Sequence, residues 1–108
     1  MMELKNIEEI DKFIDENEMS FFYISQPNCG VCQALLPKVK SLLDNYPKIY
    51  SAYINALEIQ TVAEKFSVFT VPVLLLFVDG KEYLRRARIV SIDELDDSIG
   101  KIYQLYYS

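Results

Sequence analysis

The sequence contains no histidine and no tryptophan. Without histidine, no Ser–His or Cys–His catalytic pair exists, and the commonest metal ligand is missing. Cysteine is reduced to two residues, Cys29 and Cys32. A zinc or iron–sulfur site within one chain would therefore lack its third and fourth thiolate or imidazole ligands. No repeat, linker or low-complexity tract interrupts the chain. No run of about 20 apolar residues is present to span a membrane. The first residues, Met1-Met2-Glu3-Leu4-Lys5, lack an apolar signal region, so the chain is expected to stay in the cytoplasm. Basic residues are outnumbered, with 11 Lys and Arg against 16 Asp and Glu and a formal net charge of −5. That balance argues against nucleic acid as a partner, because phosphate binding needs a basic surface. It reads chiefly as a solubility feature.

What remains is ample for a core. Hydrophobic residues make up 51% of the 108 residues, and a chain of this length is expected to form one domain, residues 1–108, without staples. The two cysteines stand in Gln26-Pro27-Asn28-Cys29-Gly30-Val31-Cys32-Gln33. Before them runs Phe21-Phe22-Tyr23-Ile24, strand-like in its aromatic and β-branched content. After them, Leu35, Leu36, Val39, Leu42 and Leu43 have the spacing of a helix face. The thiols thus fall at a strand-to-helix junction, in the first turn of the helix. There, unpaired N–H groups and the positive end of the helix dipole favour a thiolate, which is the species that attacks disulfides.

The rest of the pattern follows in order. Glu3-Leu4-Lys5 is too short to assign, beyond a brief edge strand. Asn6 with Glu9 three residues on forms a capping-box pattern and opens a helix from about Ile7 to Asn17. A buried strand covers Ser20 to Ser25. The cysteine helix runs from about Gly30 to Asp44, with Pro37 inside it and a kink expected there. A second strand spans Ile49 to Asn55, and Ile59, Val62, Ala63 and Phe66 mark a short helix. Val73 to Val78 is a continuous apolar run, typical of a strand covered on both faces. Asp79-Gly80 signals a tight hairpin into a strand from Lys81 to Ile89. Ser91 and Glu94 form a second capping box ahead of a final helix. A helix joins the first two confident strands, so they are parallel; a tight turn joins the last two, so they are antiparallel. The fold class is α/β, with a mixed sheet of four to five strands and helices on both faces.

The chemistry of Cys29 and Cys32 suits thiol–disulfide exchange. Cys29, at the helix edge, is placed to ionise and attack a substrate disulfide. Cys32, one turn inward, is close enough to attack the Cys29 sulfur and release the substrate. Two other readings stand beside this one. The pair is also half of a metal site, which would need a second chain to complete it. A binding or redox-sensing module with little turnover is the other alternative.

Four separated features carry a family resemblance. Cys29-Gly30-Val31-Cys32 resembles the active-site motif of the thioredoxin family. Thr70-Val71-Pro72 resembles the segment ending in a cis-proline that faces it. Leu74-Leu75-Leu76-Phe77 with Asp79-Gly80-Lys81 resembles the next strand and its hairpin, and Tyr53-Ile54-Asn55 the end of the second parallel strand. The resemblance covers nearly the whole chain and implies a thioredoxin fold. It implies a thiol–disulfide oxidoreductase that reduces protein or small-molecule disulfides, with Cys29 as nucleophile and Cys32 as resolving thiol. It implies a cis Val71–Pro72 bond, and a substrate platform of Gly30, Val31, Val71 and Pro72. The partners would be a disulfide-containing protein and a separate reductase or low-molecular-weight thiol; no cofactor, metal, nucleic acid or membrane is expected, and the chain is expected to be a monomer.

Three positions depart from that family's pattern. Val31 stands where typical thioredoxins have Pro, and Asn28 where they have Trp. Tyr23 stands where they have a buried Asp that assists proton transfer at the resolving cysteine. A phenol of pKa near ~10 is no base at neutral pH, so Cys32 is expected to lose its proton to water or another group. Two further clusters receive the plainer reading. Arg85, Arg86 and Arg88 are read as charges that block edge-to-edge strand pairing. Tyr103, Tyr106 and Tyr107 are read as amphipathic rings at the rim of the core.

Overall fold

The computed structural model describes residues 1–108. Nine elements follow one another: β1 (Met2–Leu4), α1 (Ile7–Glu16), β2 (Met19–Ser25), α2 (Gly30–Leu43), β3 (Tyr50–Asn55), α3 (Val62–Phe66), β4 (Val73–Val78), β5 (Lys81–Ala87) and α4 (Ile92–Tyr107). The five strands form one sheet in the order β1-β3-β2-β4-β5. β2 and β3 are parallel with Ser20 opposite Tyr50. β4 runs antiparallel to both β2 and β5. The expected mixed sheet is therefore present, with five strands. The stretch too short to assign from sequence, Glu3-Leu4-Lys5, overlaps β1, an edge strand that lies parallel to β3 with Leu4 opposite Ile54.

β2 is the axis of the fold. All seven of its residues are buried. Side chains alternate faces along a strand, and here the alternation divides two cores. Phe21 and Tyr23 enter a cluster with Val39, Leu42, Leu74, Leu95 and Ile99, under α2 and α4. Phe22 and Ile24 enter the other, with Ile10, Phe13, Val62, Phe66 and Leu75, under α1 and α3. In that second core the Phe22 ring lies 5.6 to 5.7 Å from the rings of Phe13, Phe66 and Phe77, a separation at which aromatic edges and faces attract.

The helix ends follow the capping signals. Asn6 accepts the Glu9 N–H at 2.9 Å, and Glu9 reaches back to the Lys5 N–H at 2.7 Å. Ser91 accepts the Glu94 N–H at the start of α4. Pro37 lies on the exposed face of α2, whose helix continues unbroken from Gly30 to Leu43. α3 begins three residues later than Ile59, because Asn55 claims the intervening chain. Its side chain accepts the Leu57 N–H and its carbonyl accepts the Ile59 N–H, an Asx-type turn that competes with helix. β5 stops at Ala87 rather than Ile89, because Arg88 turns to a φ of 65° and ends the ladder.

β5 is an edge strand, but its arginines do not form one patch, since neighbours on a strand point to opposite faces. Arg85 reaches the carbonyls of Phe66 and Ser67 and pairs with Glu82, closing the C-terminal end of α3. Arg86 reaches Ser98 of α4. The tyrosine reading agrees with the structure. Tyr103 packs against Tyr46 and Tyr107, and Tyr106 donates to Asp79 and Glu18. Tyr46 ties the end of α2 to α4 by donating to the Asp96 carboxylate at 2.5 Å. Gly100 leaves room for it: a Cβ there would stand 3.1 Å from the Tyr46 oxygen.

Two outcomes are expected. Phe22→Ala should lose about 3–5 kcal/mol of unfolding free energy, as removal of a large buried ring does, measured by urea denaturation. Burial first, and then the Asp96 carboxylate, push the Tyr46 phenol up to about 12, against an ordinary value near ~10. The folded state thus holds this proton where the unfolded state has released it. Its contribution is complete below the unfolded value and is lost as pH rises towards the folded one. Urea midpoints measured from pH 9 to 12 should fall less steeply for Tyr46→Phe than for the wild type.

Candidate active site

The end of β2 sets the site. Residues 26–29 turn away from the sheet, with the Cys29 N–H donating to the Gln26 carbonyl, and α2 starts at Gly30. Cys29 is the N-cap of α2. Its Sγ accepts the backbone N–H of Cys32 at 3.2 Å, filling one of the donors that a helix start leaves unpaired. Cys29 is half-buried, whereas Cys32 is 1% exposed and packs into the core under α2. The two form a disulfide, with Cα atoms 5.2 Å apart. Sulfur at an N-cap sees both a directed N–H and the positive end of the dipole, and each favours the anion over the thiol.

Tyr23 occupies the floor. Its ring is fully buried, and its hydroxyl donates to the Cys32 carbonyl at 2.7 Å. Burial, and secondarily the neighbouring Tyr53, raise its phenol to about 12. A group so reluctant to ionise does not take a proton from a thiol at neutral pH. It holds the first turn of α2 by its main chain. The sequence marks Tyr23 as a lost base; that the hydroxyl is instead a clamp on the Cys32 carbonyl follows only from the packing of β2 beneath α2.

The opposite wall comes from β4. The Val71–Pro72 peptide bond is cis, as the family resemblance implies. The β2–β4 register pairs Ile24 with Val73, and one further step sets Pro72 beside Ser25, at the sheet end from which the cysteine turn departs. Pro72 is buried and Val71 half-buried. The Val71 N–H and C=O take no part in the backbone hydrogen bonds of the surrounding loops. Gly30 and Val31 lie exposed on the first turn of α2, and a Cβ at Gly30 would meet nothing within 4 Å. The structure thus gathers Cys29, Cys32, Gly30 and Val31 on one turn and brings Val71 and Pro72 to the same sheet end. Asn28 is exposed beside the nucleophile position. Sequence reasoning passes over the tie between Arg88 and Pro72, whose carbonyl accepts the Arg88 N–H at 3.0 Å. No glycine or asparagine advertises the positive φ that makes this bond.

No group of three or more Cys, Asp or Glu side chains converges for a metal, so one would need donors from a second chain. One surface hollow is lined by Pro37, Leu42, Ile92 and Asp96, away from the cysteines. No helix is long and apolar enough to cross a membrane.

Comparison with known proteins agrees with this geometry. The Thioredoxin family model matches residues 3–101. The chain is 47% identical over 106 residues to the thioredoxin-like protein YdfQ of Bacillus subtilis, covering 98% of this chain and 95% of that protein. A mutant thioredoxin from Halobacterium salinarum superposes with a TM-score of 0.84 at 28% identity, over 93% of this chain and 88% of that one. The thioredoxin of Fasciola hepatica gives 0.85 at 26% identity, over 94% and 98%. With its cysteine pair at disulfide distance on the fold these proteins share, the chain belongs to the thioredoxin family and is a thiol–disulfide oxidoreductase.

Proposed function

We propose that the protein reduces disulfides of polypeptide substrates, with Cys29 as nucleophile and Cys32 as resolving thiol. One observation carries the assignment of roles. Cys29 Sγ sits at the helix cap and accepts a backbone N–H, while Cys32 is buried one turn behind it. In the reduced protein the Cys29 thiolate attacks one sulfur of a substrate disulfide. An S–S bond forms to Cys29 as the substrate's own breaks, and the first substrate thiolate leaves and takes up a proton. Cys32 then gives its proton to water and attacks Cys29 Sγ. The Cys29–Cys32 bond forms, the second substrate thiolate leaves and is protonated, and two electrons have passed to the substrate. A separate reductase or a low-molecular-weight thiol returns two electrons and two protons to the pair.

Gly30, Val31, Val71 and Pro72 form the platform in this reading. An extended substrate segment would pair with the free N–H and C=O of Val71 as an added strand does. A single-domain monomer acting in the cytoplasm, where thiol systems keep such pairs reduced, completes the proposal.

Cys29→Ser should abolish turnover of a test disulfide protein, whereas Cys32→Ser should retain substrates as mixed disulfides on Cys29. Turnover that persists in Cys29→Ser, or an empty trap in cell extract, would count against these roles and favour a binding module. Tyr23→Phe should cost about 1 kcal/mol of stability for the lost hydrogen bond. It should leave the shape of the pH profile for mixed-disulfide resolution unaltered between pH 6 and 8. A limb in that range that disappears with the hydroxyl would show that Tyr23 handles the Cys32 proton after all.

A further inference from the structure

Arg88 is the cation whose main chain is bonded to Pro72. It follows the last residue of β5, whose Ala87 pairs with Val73, and it is exposed. Its N–H is bonded to the carbonyl of Pro72. It therefore rides on the segment that walls the cysteine pair. Its φ of 65° places an L-residue with a full side chain in the left-handed region, where the Cβ crowds the following carbonyl. Glycine would take this conformation freely. A residue held in so unfavourable a conformation beside a reactive site is a reason to ask what its side chain does there.

Its side chain has no internal work. The ion pairs of the protein engage Lys5, Lys65 and Arg85, and Arg88 joins none of them. Asp93 and Glu94, on the first turn of α4, leave it unpaired. Arg85 and Arg86, by contrast, are spent on α3 and α4. Around Arg88 the loops of the same sheet end show apolar side chains to solvent. Ile89 is 96% exposed, Phe69 90% and Val31 59%. Single exposed apolar residues are ordinary. Here three of them occupy three segments at the sheet end that carries the cysteine turn: the first turn of α2, the loop before Pro72 and the loop after β5.

We propose that Arg88 is a specificity-determining residue that pairs with an acidic side chain beside the target cysteine of a polypeptide substrate. The inference rests on the oxidoreductase reading above. The occupant is a polypeptide, because the free Val71 main chain offers strand-like pairing and the apolar residues offer contacts on either side. Its charge is negative at the position next to the cysteine, because the one uncommitted cation at this wall is Arg88. The net charge of −5 acts in the other direction at long range, drawing basic partners. Salt near 0.15 M screens that field beyond ~8 Å, while a contact pair persists. An arginine also offers a carboxylate two parallel N–H donors.

The test uses the reduced full chain at 0.15 M salt and three peptides of equal length. Each carries one disulfide, with Glu, Gln or Lys beside the attacked cysteine. Rates are measured for the wild type, Arg88→Gly and Arg88→Glu. Dividing each wild-type rate by that of a variant cancels the intrinsic reactivity of each peptide. The Glu peptide should lose about three- to tenfold relative to the Lys peptide on Arg88→Gly, the size expected of a partly exposed contact pair. Arg88→Glu should reverse the order. Arg88→Gly should also melt at a higher temperature than the wild type, since glycine relieves the backbone. Equal ratios for all three peptides, or an order that survives Arg88→Glu, would overturn the role of Arg88 and leave the oxidoreductase reading standing. Failure of the wild type to reduce any of the peptides would sink the oxidoreductase reading itself, and this inference with it.

Discussion

Every part of the site hangs from a strand that has no free face. β2 is buried along its whole length, with one core under α2 and α4 and another under α1 and α3. A slip by one residue would send Phe22 into the space of Phe21 or Tyr23 and empty both cores of their matched side chains. The strand is therefore held in register from both sides. The point at which the chain leaves it, after Ser25, is fixed with the same stringency. The cysteine turn begins there, and β4 begins directly across from it. Packing the whole length of β2 thus serves, at its end, to bring the cysteine turn and Pro72 to one end of the sheet.

The electrostatics of the pair are supplied by main chain. Cys29 Sγ receives a peptide N–H and the dipole of α2, and no lysine, arginine or carboxylate bonds to either cysteine. Tyr23 contributes rigidity through one hydrogen bond to a carbonyl and holds its own proton. This differs from a site built on titrating helpers. The surroundings of the first cysteine are a property of where the helix starts, and the second cysteine lies buried behind it.

Much of this was legible in the residues because local and global signals coincide. The apolar run Val73 to Val78 and the all-hydrophobic β2 announced buried central strands. Asn6 and Ser91 announced helix starts, and the helix between the first two strands announced their parallel pairing. The cysteine spacing announced the chemistry. What stayed hidden depends on position in space rather than on pattern. β1 is three residues long and acquires its meaning only from β3. Asn55 diverts the chain by a side-chain bond and delays α3. Arg85 and Arg86 look like one patch in sequence and are divided between two faces by the pleat. Arg88 carries a left-handed backbone with none of the residue types that usually signal one, so its contact with Pro72 could not be read in advance.

The cap formed by Cys29 has a bearing on how such a chain changes over time. The donor that steadies its sulfur is a peptide group, so no single side-chain replacement deletes it. Asn28, Val31 and Arg88 are exposed at this end of the sheet and make no bond to either sulfur. Chemistry lodged in the path of the backbone is inherited with the fold, while recognition lodged in side chains is rewritten freely. A protein built in this way would keep its reactivity through changes at the exposed positions that surround it.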